Sequence, residues 1–480
     1  MKNEIKQTAK HTIIYSIGNL SIKVIGLLLL PLYTSRLTLS DYGKLGILEV
    51  TTQFLIVIFG LNIYSAMIRW CSEEDSIEKQ KTIIFTSYIS LISVMFIFII
   101  LSQTLSSIFA KIYFNDLKFI IIFRYLFFIV FLEIINNLTL NLLRLKEKSL
   151  QFIIIVIIKL LLTLSLTIFF IIRLNMKIEG IFLSQLIGNA LIFLITIPTI
   201  IKNINFNFDT DILKKMFRYS FPLIFSSISV MLLSIGDRFF IKFILDDSEL
   251  GIYSLAYKFA GIINMLLIQS FALGYLPIAY KTINKKNATI FYSNVFSLFS
   301  TALIIFSLFI SIFSREIIEI FAKNNEFWSA YLLVPILALT FVMKGIQYIF
   351  SLGFHIKKKT HYNAIIVIIA VFINFVLNYF LINKFGIWGA ALATLLATSF
   401  ITIMFYKYSQ RIYHISYHFK NVIVILTWAV IFYFVSNLFY NPNILYRIGF
   451  KTLIFTIFIA ILLFSKIISL NGFRKLFNLT

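Results

Sequence analysis

Five cations, Lys23, Arg124, Lys159, Lys258 and Lys344, and the acids Glu49 and Glu133 stand deep inside long apolar stretches of this chain, with Asp237 beside Arg238 at the outer end of another. A charge at the centre of a bilayer costs about 2.5–3.5 kcal/mol on insertion scales, so it turns toward protein or a wet cavity. Residues three or four apart share one face of a helix, and by that spacing four of the lysines join polar stripes. These are Thr12, Ser16, Asn19, Lys23; Lys159, Thr163, Thr167; Ser254, Lys258, Gly261; and Thr340, Lys344, Gln347, Ser351. Glu133 leads a further stripe through Asn137 and Asn141 to Arg144, and Asn374 and Asn378 lie one turn apart.

The chemistry such groups can do is binding. Ammonium groups are point-charge partners for phosphate oxygens. Lys23, Lys159, Lys258, Lys344 and Arg124 are therefore candidates to hold an anionic cargo in a cleft. Asn19, Asn137, Gln347, Asn374 and Asn378 would line its polar wall, and Glu133 and Glu49 would act as coupling or ion-pairing carboxylates. Two plainer readings compete. Ser, Thr and Asn also bond helix to helix in membranes, and Arg124 is placed to snorkel to the interface.

Other chemistry is missing. There is no glycine-rich phosphate loop, so ATP hydrolysis is not expected. His414 and His418 have metal-like spacing but no third ligand, so no metal is expected. Cys71 has no partner and is expected to be a reduced, inert thiol. No serine–histidine–carboxylate set falls at one depth, so the chain is not read as an enzyme. Lys357-Lys358-Lys359 reads as a headgroup anchor or a docking point for anionic cargo.

The elements that must position these groups are membrane helices. Of 480 residues 60% are hydrophobic and only 13% charged, with 54 phenylalanines. A soluble domain carries about a quarter charged residues, so the chain is read as an all-α polytopic membrane protein. A span needs about 20 mostly apolar residues. About fourteen such stretches occur, near 12–32, 43–65, 82–104, 118–142, 150–171, 180–200, 218–241, 250–275, 290–313, 328–352, 362–382, 386–406, 421–440 and 447–468. Lys2, Lys6 and Lys10 before the first stretch imitate a signal peptide, but the run is too long and is read as an uncleaved span. The connections on the side of both termini hold 25 Lys/Arg against 13 on the other side, which places the termini in the cytoplasm. The net charge of +23 is then largely topology, and no nucleic acid is required.

The chain also resembles itself at a spacing of about 210 residues. Arg144-Leu-Lys-Glu-Lys148-Ser149 matches His355-Ile-Lys-Lys-Lys359-Thr360, Glu179-Gly180 matches Trp388-Gly389, and Ser40-Asp41-Tyr42-Gly43 matches Ser248-Glu249-Leu250-Gly251. A six-helix parallel repeat follows, with bundles over 1–208 and 209–410 and two appended spans over 411–480. Two such bundles would face one cleft by alternating access. Glu133 and Lys344 are equivalent under the repeat and are expected to face the cleft at similar depth and to pair in one state of the cycle.

Three motifs make the chain resemble a known family. They are Pro31-Leu-Tyr-Thr-Ser-Arg36 with Asp41-Tyr42-Gly43; Asp237-Arg238-Phe-Phe-Ile with Gly251-Ile-Tyr253-Ser-Leu-Ala256; and Gly386-Ile-Trp388-Gly389-Ala-Ala-Leu-Ala-Thr394. Across the first twelve spans the chain resembles the Wzx-type polysaccharide biosynthesis flippases of the multidrug/oligosaccharidyl-lipid/polysaccharide (MOP) exporter superfamily. The resemblance implies a MATE-like pair of six-helix bundles plus two helices in the bacterial cytoplasmic (inner) membrane. It implies translocation of an undecaprenyl-pyrophosphate-linked oligosaccharide to the periplasmic leaflet, for O-antigen (lipopolysaccharide) or capsule-type polysaccharide. It also implies no cofactor, possible coupling to an H+ or Na+ gradient, and polymerase and chain-length machinery as partners. The alternatives are a lipid II flippase, a small-solute antiporter, which predicts an acidic cleft, and a polysaccharide polymerase or ligase, which needs a large external loop.

Overall fold

The computed structural model describes residues 26, 28–439 and 441–465. The described chain is helical throughout, with no strands. The helices are α1 Leu30–Arg36, α2 Leu39–Phe59, α3 Ile63–Glu73, α4 Ile77–Phe114, α5 Ile120–Leu145, α6 Ser149–Ile172 and α7 Ile178–Lys202. They continue as α8 Thr210–Ile244, α9 Asp247–Thr282, α10 Ala288–Phe321, α11 Val334–Ile356, α12 His361–Ile412, α13 Phe419–Ser436 and α14 Ile444–Phe464. Twelve helical segments among the described residues are long and apolar enough to cross a membrane. The stretch expected at 12–32, with Asn19 and Lys23, lies almost wholly outside the described residues.

The stretches expected at 362–382 and 386–406 form the two arms of α12. A straight helix of 52 residues would be about 78 Å long, more than twice the ~30 Å hydrocarbon core. The break is Gly386, at φ 57° and ψ −139°, a region essentially reserved for glycine. Three residues later the chain passes so close to itself that a Cβ on Gly389 would lie 2.0 Å from the Leu381 carbonyl oxygen. The matching glycine of the first repeat behaves alike: a Cβ on Gly180 would meet the Cβ atoms of Phe170 and Met176 at 2.9 Å. Both glycines let a sixth helix start directly against the end of the fifth.

The chain divides into two packed units, residues 1–242 with 246–250, and 243–245 with 251–480. The packing boundary thus falls at the end of α8, while the repeat boundary read from sequence falls at 208/209. In the first unit α5 is the hub, packed against α2, α3, α4, α6 and α7. Its core includes Phe123, Leu126, Phe127 and Val130, all fully buried. In the second unit α11 has the corresponding place, against α10 and α12, and α13 and α14 pack on α10.

Local sequence sets the helix ends. Thr38 and Asp41 form a reciprocal capping box at the start of α2, and Lys177 adds an ion pair to Asp41 at 3.1 Å. The Asp41-Tyr42-Gly43 motif is therefore a helix start, with Tyr42 buried. Asp237 and Arg238 are buried inside α8, not at an open helix end.

Candidate functional site

Between α2 and α3 the helix is interrupted. Leu61 and Asn62 take left-handed conformations, with φ 48° and 52°, directly after Gly60. Backbone freed in this way is tolerated at membrane depth only where it is buried in protein or lines a water-filled cavity. Here it lines a cavity of about 300 Å³ in the first unit, at the lower end of the size range of ligand sites. Gly60, Asn62 and Tyr64 form one wall, Asn137, Asn141 and Arg144 of α5 another, and Ser227 of α8 a third.

The stripe read from sequence on α5 is thus a cavity wall. Asn141 donates to the Asn137 carbonyl oxygen at 2.8 Å, and Asn62 donates to Ser227 Oγ at 2.8 Å. Arg144 is the charged residue of the lining, and its guanidinium lies over the Phe152 ring at 4.7 Å. A stacked guanidinium beside three carboxamides can take phosphate oxygens and sugar hydroxyls together.

One turn further along the stripe, Lys159 of α6 donates to Glu133 of α5 at 2.6 Å, with both side chains about a fifth to a quarter exposed. In this structure Glu133, expected to meet Lys344 in one state, is held by Lys159. Glu49 is half-buried in α2. Arg124 is exposed near the start of α5, on the same face as the exposed Phe128, which suits a snorkelling cation. Lys258, Lys344 and Gln347 are half-buried on α9 and α11 of the second unit. Asn374 and Asn378 are fully buried, and Asn378 donates to Asn374 at 3.0 Å. These two serve packing in this structure rather than lining an open wall.

Sequence reasoning missed one charged cluster, in the second unit. Glu316 of α10 accepts from Lys451 of α14 at 2.7 and 2.9 Å and lies 3.5 Å from Arg447. Arg447 also pairs with Glu319, which Arg315 contacts at 2.9 Å. Glu316, Arg447 and Lys451 are each at most 4% exposed. The available signal was their helical spacing: Arg315–Glu319 and Arg447–Lys451 are both four apart.

A family model described as polysaccharide biosynthesis protein matches residues 8–279, and the MatE model matches residues 222–380. Over 244 residues the chain is 28% identical to a probable low-salt glycan biosynthesis flippase, Agl15, of Haloferax volcanii. That match covers 50% of this chain and 49% of the relative, so it spans about half the relative's length. Among solved structures, the lipid II flippase MurJ in an inward closed conformation is similar with TM-score 0.78 at 18% identity, over 95% of this chain and 100% of that one. An inward-facing MATE family multidrug resistance transporter of the MOP superfamily is similar with TM-score 0.64 at 14% identity, over 82% and 94%. At these identities the likeness establishes the fold, a MATE-type polytopic helical membrane fold.

Proposed function

The chain belongs to the polysaccharide biosynthesis protein family, and we propose that it is a flippase for a lipid-linked oligosaccharide. The cargo is an undecaprenyl-pyrophosphate-linked unit moved from the cytoplasmic to the periplasmic leaflet of a bacterial cytoplasmic membrane, with both chain termini inside. The unit feeds an O-antigen or capsule-type polysaccharide, through a polymerase and its chain-length partners. The bundles over 1–208 and 209–410 alternate access to the site, with 411–480 as an appendix.

The observation that carries this reading is the cavity beside the interrupted helix. Arg144 would hold the pyrophosphate, and Asn62, Asn137 and Asn141 would bond the first sugar. Without such a cavity each polar group crossing hydrocarbon would cost several kcal/mol. The Glu133–Lys159 pair holds two charges near this wall at little net field. Lys23, Lys258 and Lys344 remain candidates for later positions of the anion, and Glu133 and Glu49 for coupling to H+ or Na+.

The test is a deletion strain whose lipid-linked saccharides are assigned to a leaflet with a periplasm-confined sugar-modifying enzyme. Complete units should be trapped on the cytoplasmic side, released by the wild-type chain and not by Arg144→Ala. Units that reach the periplasm unpolymerised would reject the flippase in favour of a polymerase or ligase.

A further inference from the structure

At one end of the second unit three connections come together, residues 283–287, 357–360 and 413–418. Each is pinned. Gln410 brackets Ile415 of the third, donating to its carbonyl at 2.7 Å and accepting from its N–H at 2.9 Å. Ser293 of α10 donates to the Ser416 carbonyl at 2.6 Å. The Lys359 N–H donates to the Phe354 carbonyl at 2.8 Å and fixes the turn of the second connection. Tyr275, Tyr292, Leu352 and Ile415 form one buried core beneath them, and the Lys357 ammonium lies 6.0 Å from the centre of the Tyr413 ring. The three connections are thus held as one surface.

The charge of this surface has one sign. Lys285, Lys286, Lys357, Lys358 and Lys359 are exposed, and so are His414 and His418. After Gly251 the only carboxylate side chains are Glu316, Glu319 and Glu326. Glu316 stands about 42 Å along α10 from Ala288, several screening lengths of about 8 Å away. The first unit differs on the same proposed side of the membrane. There Arg69 pairs with Glu73 at 3.1 Å, Lys81 with Glu78 at 3.5 Å and Lys79 with Glu74 at 3.8 Å. Topology does not demand the contrast, because the positive-inside rule counts Lys and Arg while acids contribute little. Lipid headgroups do not account for it either: both units stand in the same leaflet, yet only one is stripped of acids. A fixed, uncompensated cationic surface on one unit suits a single local partner of opposite sign.

We infer that this end of the second unit docks an acidic protein surface, that of the glycosyltransferase which completes the lipid-linked saccharide on the cytoplasmic face. A flippase consumes what such a transfer supplies, so a docked transferase releases its product beside the carrier. The inference rests on the flippase reading for the identity of the partner and adds the supplying reaction to it.

The experiment uses the full-length chain in its host membrane. Benzoylphenylalanine is placed at position 286, 358 or 414, or at position 78 of the first unit as control. Irradiation should give adducts with a glycosyltransferase, on peptides rich in Asp and Glu, from the three positions of the second unit and not from position 78. With the crosslinker at 286, Lys357→Gln/Lys358→Gln/Lys359→Gln should cut the adduct about tenfold, because three exposed charge contacts are lost together. Raising the salt from about 50 to 300 mM in membrane vesicles should weaken the same adduct in the otherwise unchanged chain, so the test does not hang on the folding of the triple variant. No protein adduct, adducts only with phospholipid, adducts only with proteins that have no transferase activity, an equal yield from position 78, or indifference to both charge and salt would each overturn the docking. Failure of the flippase reading shows separately, as no trapped saccharide in the deletion strain.

Discussion

Glu316 offers a prediction whose size follows from the structure. The cluster of Arg315, Glu316, Glu319, Arg447 and Lys451 contains three cations and two carboxylates. Replacing Glu316 by Gln keeps the shape, removes the negative charge that Lys451 and Arg447 face, turns one of its two acceptor oxygens into a donor, and raises the buried excess of positive charge from one to two. Breaking a buried pair by removing one partner costs about 3–5 kcal/mol. Lys451→Met moves the excess the other way, to zero, and leaves Glu316 beside Arg447. Its cost should be closer to that of one charged hydrogen bond, about 1.5–3 kcal/mol. The double variant Glu316→Gln/Lys451→Met should recover part of the loss, with a coupling of about 1–3 kcal/mol. The assay is reversible unfolding in mixed detergent micelles for the four chains of the cycle. Equal costs for the two single changes, or additivity within about 0.5 kcal/mol, would refute the buried network.

Three further outcomes are expected. Glu133→Lys should lower transport in the leaflet assay, and adding Lys159→Glu should restore it, whereas adding Lys344→Glu should not; rescue through position 344 would sink the observed pairing. Gly386→Ala should destabilise the α12 hairpin by about 1–3 kcal/mol, because alanine is strained at that φ and ψ, and Gly389→Ala should be worse, since its Cβ meets backbone; both read out as yield of folded, monodisperse protein. Burial pushes the Cys71 thiol up to about 12, and the reactive species is the thiolate. At pH 8 its reactive fraction is then about 10⁻⁴, so maleimide labelling should be very slow and rise with pH; labelling at the rate of an ordinary cysteine would contradict its burial.

Much of this architecture is legible in sequence because hydropathy and helical period act over whole spans. Asn137, Asn141 and Arg144 of the predicted stripe became a cavity wall because a polar face on an apolar helix has nowhere else to turn. Lys159 was legible as a buried cation, but its partner was not. Which face of α6 meets α5 depends on packing, and spacing along one helix does not give it. The cluster at Glu316 was missed because hydropathy falls at Arg315, so the span seemed to end at 313, while the helix continues to Phe321. The interruption at Gly60–Asn62 was missed for the opposite reason: the flanking residues Phe54–Phe59 and Ile63–Ile68 are apolar enough to read as one span.

That interruption has an electrical consequence. Free backbone at Gly60–Asn62 needs water or protein dipoles around it, and water filling the adjoining cavity would extend a high dielectric inward. The transmembrane voltage then drops over the remaining dry thickness rather than over the whole bilayer. In the proposed orientation an anionic head moving outward is driven by the membrane potential, since the cell interior is negative. Two charges crossing the full drop gain about 4.6 kcal/mol per 100 mV. With the head seated at the interruption, that gain comes in the dry step beyond it.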